Sequence, residues 1–411
     1  MKKSPTNNRR GAVVVLTALL LVALLAMVGF AVDVGYIVHA RTELQRTADA
    51  CSLAAVAELP EEVDAKVTAY NYSVNNHGSV GPALDFNDIE IGYWDRDTAT
   101  FNSPAPPGEN NNAVRVRLNR TAAAGNPLPL FFGHLLSTDA ADVTATATAM
   151  YDNDLCGPLV GIDWVSVPGN PSTDSYKSDE GPYNPGFARD KGGLCSDGPV
   201  SVEGQAFVNG SARAGKGHNV TLEGSATVTG SIGSRKKPLN MPPVDASQAE
   251  LINDNLFLPL VPEGKGWKSP VDANGNFLLD GTKTYDMPPG TYYFNNFTVK
   301  GQSTLNLSGE TTIYVTGNLE RSGGTFVNNN TQIPSNLKFL MTQGTANVTS
   351  NNDFHGVIYG PNTNIRLDGD SDLFGVVVGK TLTATGSGAA HYDESLDLDE
   401  VDFPRRTALV D

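Results

Sequence analysis

Cysteine, charge and catalytic signatures are what this sequence has least of. Only three cysteines occur in 411 residues. No CxxC and no Cys/His cluster at zinc-ligand spacing is among them, which removes the usual structural zinc modules. GxSxG, Walker and HExxH motifs are missing as well, so the commonest hydrolase, nucleotide and metalloprotease sites have no sequence basis. Charged residues make up 18% of the chain, whereas glycine reaches 42 and proline 25. That balance is poor material for a helical cytosolic enzyme and good material for turn-rich β structure. Positive charge is especially short. The formal net charge is −16, and residues 1–59 hold six Lys/Arg against four Asp/Glu, so the remainder carries −18. An acidic body of this kind is repelled by phosphate backbones, and nucleic acid is not an expected partner.

What is present begins with one long apolar run. Gly11 to Val32 contains no charge, and at ~1.5 Å per residue it spans ~33 Å, enough to cross the hydrocarbon core. Lys2, Lys3, Arg9 and Arg10 precede it, so the positive-inside rule predicts a cytoplasmic N-terminus, with everything after Asp33 outside. The small-x-small triplet Gly29-Phe30-Ala31 raises a rival, a cleaved signal peptide. The run, however, exceeds the ~7–15 residues of a signal h-region, and the helical pattern continues beyond it. Ile37, Ala40, Leu44, Ala48, Cys51, Ala55 and Leu59 form one helical stripe, and Pro60 ends it. The expectation is a single continuous helix, half in lipid and half projecting, with Cys51 as a small packing residue.

The order Arg9-Arg10-Gly11, apolar span, Val32-Asp33-Val34-Gly35-Tyr36, Leu44-Gln45-Arg46-Thr47-Ala48-Asp49-Ala50 and Ala54-Ala55 resembles the start of TadG-like proteins of the Tad (tight adherence, Flp pilus) assembly machinery. The resemblance implies a bacterial inner-membrane protein whose partners are other Tad/Flp assembly proteins. Asp33 falls at the outer membrane edge, as an interface residue or a partner contact. A type IV prepilin wants Glu five residues after its cleaved glycine; counted from Gly11 that position is Leu16, so the chain is not expected to be a pilin subunit.

Residues 61–151 read as a small α+β domain. Glu61 to Asn76 is helical in pattern, and strands are expected at Ile89–Trp94, Ala113–Leu118 and Val143–Tyr151. Arg115 and Arg117 read as a solvated strand face. The segments Asn112 to Arg117, Pro127–Leu136 and Thr144 to Ala147 are similar to the region after the anchor in other TadG-like chains.

Residues 152–411 repeat. Shifted by twenty, Ser201–Ser211 falls on Thr221–Ser231, with Glu, Gly, Ala, Val, Gly and Ser coinciding. Shifted by nineteen, Asp353, Gly356, Val357 and Gly360 fall on Asp372, Gly375, Val376 and Gly379, and Val348 on Leu367. Short β-branched runs closed by Gly or Asn at this period predict a parallel, right-handed β-helix, with Thr312–Val315, Leu337–Met341, Val357–Tyr359 and Val376–Val378 as successive rungs. Asn328-Asn329-Asn330 and Asn351-Asn352 suit ladders of stacked amides. An antiparallel sandwich is the alternative. The proline-rich stretch 234–290 breaks the rhythm and reads as an insertion or lateral lid. The segments Gly290 to Phe294, Gly356 to Asn362, Gly375 to Gly379 and His391 to Leu396 resemble an uncharacterised β-helical module of bacterial surface and pilus-associated proteins.

Candidate chemistry is sparse. Asp368, Asp370 and Asp372 alternate and, in a strand, would share a face able to hold Ca²⁺ or act on glycans. Leu373 stands where an EF-hand needs Gly and no Glu closes the loop, so a solvated acidic turn is the competing reading. Asp272, Asn274 and Asn276 fail the same test. In His391-Tyr392-Asp393-Glu394 only His391 with Asp393, or Tyr392 with Glu394, can cooperate on a strand; a structural cap is preferred. Cys156 and Cys195 are expected to form a disulfide, the alternative being two buried thiols. No cofactor is expected. The function expected is therefore non-enzymatic: a single-pass, membrane-anchored extracytoplasmic structural protein of Tad/Flp pilus assembly or adhesion. Its body would be periplasmic or extracellular. The alternatives are a membrane-tethered protein that binds or cleaves surface glycans and a free-standing adhesin.

Overall fold

The apolar stripe of the N-terminal segment folds as one helix, α1, Arg10–Val56. In the computed structural model the described residues are 10–59, 61–76, 84–95, 99–107, 111–152, 155–239, 241–264, 266–396 and 406–410. They form two compact units, residues 1–152 with 405–411, and residues 153–404.

In the first unit α1 has two different surfaces along its length. From Val13 to Val32 its large apolar side chains are bare. From Ala40 onward one face is dry: Ala40, Leu44, Ala48, Cys51, Ala55 and Leu59 are all buried, and Ile37 is half-buried. The three-and-four spacing places these residues above one another on a single face, and small residues at Ala40, Ala48, Cys51 and Ala55 allow close approach of a sheet. That sheet is antiparallel and five-stranded, in the order Thr100–Asn102, Ile89–Asp95, Ala113–Arg120, Val143–Asp152, Arg406–Leu409. Val114, Val116, Leu118, Ala145, Ala147 and Ala149 turn inward against α1, and the second helix, α2 (Glu62–Asn76), adds Ala65 and Ala69 to the same core. The acidic residues Glu62 and Asp64 in its first turn suit the positive end of the helix dipole. Arg115 is not simply solvated. Its Nε donates to Thr148 Oγ1 at 3.0 Å, and its guanidinium lies 4.2 Å from the centre of the Phe101 ring. Arg117 is the exposed one, 3.9 Å from Glu90.

The outermost strand of this sheet comes from the far end of the chain: Arg406–Leu409 pairs with Val143–Asp152, Met150 facing Ala408. The sequence pattern alone runs the repeat body through to residue 411. The last strand instead joins the first unit, because an edge strand with no repeat partner can satisfy its backbone on any open edge of matching length.

The second unit is built from parallel strands. Val200–Val202 pairs with Val220–Leu222, Phe207–Val208 with Thr227–Val228, and Ala212–Ala214 with Ile232–Ser234, each twenty residues on. The repeat shift seen in the sequence is therefore the pairing register itself. The nineteen-residue shift is too: Gly356 faces Gly375, Val357 faces Val376, and Val348 faces Leu367. Thr311–Val315, Leu337–Met341 and the Val357–Tyr359 and Val376–Val378 segments are successive neighbours. The inward residues make one continuous core in which Phe277 and Phe297 stack at 4.6 Å and Phe339 meets Phe297 edge-on at 5.2 Å. A column of amides runs along the outside. Asn328 Nδ2 donates to Asn306 Oδ1 at 2.9 Å, and Asn306 Nδ2 donates to Asp286 Oδ1 at 2.7 Å. Asn329 and Asn352 instead bond to backbone carbonyls.

The order of stacking departs from chain order. Leu159–Val167 lies between the latest strands and the early ones, with Val377 facing Leu159 on one side and Val165 facing Val200 on the other. The strand Ile232–Ser234 pairs back onto Ala212–Ala214, whereas Phe277–Leu279, where pairing resumes, pairs forward onto Phe297–Val299. The intervening proline-rich segment runs along the side of the sheet. The Leu239 N–H is held by Asp197, the Pro242 carbonyl accepts from the Tyr359 hydroxyl at 2.6 Å, and Asp254 accepts from the Thr291 N–H at 2.8 Å. Leu239, Met241 and Val244 cover Val160, Val357, Val376 and Val378.

Candidate functional site

Two constellations bring polar groups together, one in each unit. The first centres on Asp33. Its carboxylate is nearly fully buried and accepts the backbone N–H of Phe131 at 2.8 Å and that of Phe132 at 3.0 Å. The Phe131 ring lies 5.1 Å from the Tyr36 ring, and Phe132 packs on Gly29, where an added Cβ would sit 3.0 Å from the Phe132 ring. The local fold that presents these two N–H groups depends on Gly133, because a Cβ there would run into the Thr138 carbonyl and Leu130. Asp33 is thus a tether between α1 and a loop one hundred residues away, beyond both readings the sequence offered for it.

The second constellation surrounds His391 in the parallel-strand unit. His391 Nδ1 lies 2.5 Å from Asp174 Oδ1, and Nε2 lies 3.7 Å from Asp372 Oδ2, an ionic neighbour rather than a hydrogen-bond partner. The Tyr183 hydroxyl donates to Asp174 Oδ2 at 2.7 Å, and its ring lies 3.9 Å from the imidazole. On the other face Phe374 stacks on His391 and His355 stacks on Phe374, a column one residue per strand. Burial opposes charge on His391, but the Asp174 hydrogen bond and the charges of Asp174 and Asp372 outweigh it and lift its pKa above the ordinary value. Asp372 is held below the usual carboxylate range, chiefly by His391. Asp393, on the same strand as His391, does not pair with it. It accepts the N–H groups of Ser178 and Ser395, and burial raises its pKa. Glu394 takes Arg189 at 2.9 Å, Lys191 at 3.3 Å and the Ser175 hydroxyl. The partners sequence reasoning missed, Asp174, Tyr183 and Arg189, lie about two hundred residues upstream and carried no local signal.

The three alternating aspartates do not converge. The strand Phe354–Gly369 ends at Gly369 in a positive-φ conformation, so Asp370 and Asp372 lie beyond it and the shared face is lost. Asp368 pairs with Arg366 at 2.7 Å, Asp370 accepts from the Ser387 hydroxyl, and Asp372 accepts the Ala389 N–H. Asp272 closes its own turn on the N–H groups of Asn274 and Asn276. Among the described residues no group of three or more His, Cys, Asp or Glu is placed to hold a metal ion. Cys156 and Cys195 are joined as a disulfide with Cα atoms 6.0 Å apart, while Cys51 is a buried free thiol whose pKa burial pushes up to about 12. Arg321 is a buried cation that the sequence did not flag. Its Nη2 donates to the carbonyls of Thr325 and Asn352, and burial lowers its pKa to about 10.

A bare apolar helix continued into the core of a small sheet is the architecture of a membrane-anchored protein. Among the described residues α1 is the one helix long and apolar enough to cross a bilayer. Family models agree with this part of the chain. Residues 11–58 match the Flp pilus-assembly TadE/G-like model and residues 43–149 the Tad-like Flp pilus-assembly model. The N-terminal region of the chain therefore carries Tad-type Flp pilus-assembly domains, and residues 295–398 match a domain of unknown function. No curated protein matches the chain. Among solved structures, a competence-associated pilin from Thermus thermophilus aligns at 12% identity and a TM-score of 0.33, over 83% of this chain and 90% of its own. An ice-binding protein from the Antarctic ascomycete Antarctomyces psychrotrophicus aligns at 12% identity and a TM-score of 0.27, over 57% of this chain and 93% of its own. At these scores neither establishes a shared fold.

Proposed function

We propose that the chain is a single-pass, extracytoplasmic structural component of a Tad/Flp pilus-assembly apparatus, acting by contact rather than by catalysis. The observation that carries this reading is α1 itself. The large apolar side chains of its first half are exposed, apart from the contact of Phe132 on Gly29, while its second half is the core of the unit that matches the Tad models. A surface of that kind is stable only in an apolar solvent. The basic residues preceding it favour a cytoplasmic N-terminus in the inner membrane, and the disulfide between Cys156 and Cys195 fits an oxidising compartment for the body.

The same reading makes the parallel-strand unit a right-handed β-helix. Its support is the return of parallel pairing about every twenty residues in three columns of strands, with inward apolar and outward polar residues alternating. The His391 network fits a structural role, because the imidazole is buried and its Nδ1, Tyr183, Asp393 and Glu394 are each bonded to a neighbour. Partners are other pilus-assembly membrane proteins, and the exposed Leu251, Ile252, Leu256 and Phe257 support a protein that works through contact. Deletion of the gene, with surface pili counted by electron microscopy and attachment scored in parallel, tests the assignment. Loss of pili is the expected result. Normal pili with attachment lost would replace assembly by adhesion, and normal pili with normal attachment would overturn both.

A further inference from the structure

The loop tethered by Asp33 has an outer surface that the pilus-assembly reading does not use. Its tip, Leu130 to Thr138, exposes Phe131 by 60% and Phe132 by 42%, large aromatic areas for a turn. The tip lies beside the bare part of α1. Phe132 packs on Gly29, within the charge-free stretch and between the exposed side chains of Val28 and Phe30. Gly29 precedes Val32 by three residues, which at ~1.5 Å each puts Phe132 roughly 4–5 Å inside the end of the apolar span.

Around the aromatic pair the backbone N–H groups are engaged, while the short turn Gly133–Leu136 that follows has no side-chain cap. The Leu130 N–H donates to the Asp139 carbonyl at 3.0 Å, those of Phe131 and Phe132 donate to Asp33, and that of Thr138 donates to the Gly133 carbonyl at 3.0 Å. Pro129 has no N–H to satisfy. In water such economy has little value, whereas at a bilayer surface each unpaired N–H carries a large cost. The same geometry explains a carboxylate at the edge of an apolar span. Asp33 is sealed over by the two N–H groups it binds.

We propose that Phe131 and Phe132 form a lipid-inserting tip that seats the first unit on the outer leaflet beside its own anchor helix. The inference rests on the membrane-anchor reading of α1. Its occupant is the bilayer because the exposed aromatic surface is continuous with the bare surface of α1 at residues 27–30. The two phenylalanine rings carry no polar atom, so burying them in acyl chain rather than water is favourable. The tip fixes how far α1 can slide or tilt.

The test uses the full chain with Cys51→Ala, carrying an environment-sensitive fluorophore at Phe131→Cys and reconstituted in phosphatidylcholine–phosphatidylglycerol vesicles. Val22→Cys and Leu256→Cys, labelled in the same way, report the anchor and an exposed site of the second unit. Nitroxide-bearing phospholipids should at least halve the emission at residues 131 and 22 and leave residue 256 unchanged, while aqueous iodide should quench only residue 256. A label at residue 22 that lipid quenchers do not reach would overturn the anchor reading and this inference together. Quenching at residue 22 with iodide-accessible residue 131 would overturn the inference alone. Residue 131 shielded from both quenchers would mean that protein covers the tip, which also overturns it. Phe131→Trp, read with brominated phospholipids against the wild-type chain, preserves the aromatic bulk and must give the same result.

Discussion

Replacing Asp33 by alanine removes the carboxylate that accepts the Phe131 and Phe132 amides, and its cost can be worked from the geometry. Two N–H···carboxylate bonds at 2.8 and 3.0 Å are lost. Hydrogen bonds to a charged group contribute ~1.5–3 kcal/mol each, and a donor left dry and unpaired costs ~1–3 kcal/mol. The loop should therefore open more easily by about 3 kcal/mol or more, a roughly hundredfold faster exchange of these two amides at 1.4 kcal/mol per tenfold. Asp33→Asn keeps one carbonyl oxygen and should fall between wild type and alanine. Hydrogen–deuterium exchange of the full chain in micelles reads this directly. The antiparallel hairpin Leu128–Pro129 with Ala140–Ala141 and the strand Val143–Asp152 serve as internal references. Unchanged exchange at residues 131 and 132 in Asp33→Ala would refute the tether. Acceleration spread evenly over the whole sheet would refute its locality, because Asp33 would then act on the unit as a whole.

The second unit supplies further tests. Phe297 is buried against Phe277, Phe294 and Phe339, so Phe297→Ala should cost ~3–5 kcal/mol through lost burial and a residual cavity. Denaturant midpoints measure it, and a loss below about 1 kcal/mol would mean the ring column is not a packed core. Cys195→Ser opens a link that spans 39 residues of chain; the loop-entropy relation puts its removal at about 4 kcal/mol as an upper figure, and reduced and oxidised wild type should differ by a similar amount. Identical melting with and without reductant would contradict it. The His391 pKa is raised in the folded protein, so its stabilising contribution is complete below 6.5 and is lost as pH rises through the raised value. The stability gap between wild type and His391→Gln should then narrow toward alkaline pH. His355, whose pKa burial lowers, works in the opposite sense and also feels the His391 charge, so the comparison is made in a His355→Gln background. An NMR titration placing the His391 pKa below 6.5 would refute the dominance of Asp174 and Asp372.

Where local period determines structure, the sequence was sufficient. The three-and-four stripe from Ile37 to Leu59 identified the buried face of α1, since spacing along one helix decides which side chains align. The twenty- and nineteen-residue shifts named the pairing register, since parallel neighbours with inward apolar residues must keep alternation in phase. Asp33 against Phe131 and Phe132, Asp174 against His391, and Arg406–Leu409 on the first sheet were settled by tertiary structure alone. So was the placement of Leu159–Val167 between early and late strands. Each joins residues separated by roughly one hundred to more than two hundred and fifty positions. A side chain's own neighbours in sequence report its face, not its partner. The partner is chosen by which strand edge lies open and which buried polar group still lacks a bond, and those are properties of the assembled sheets.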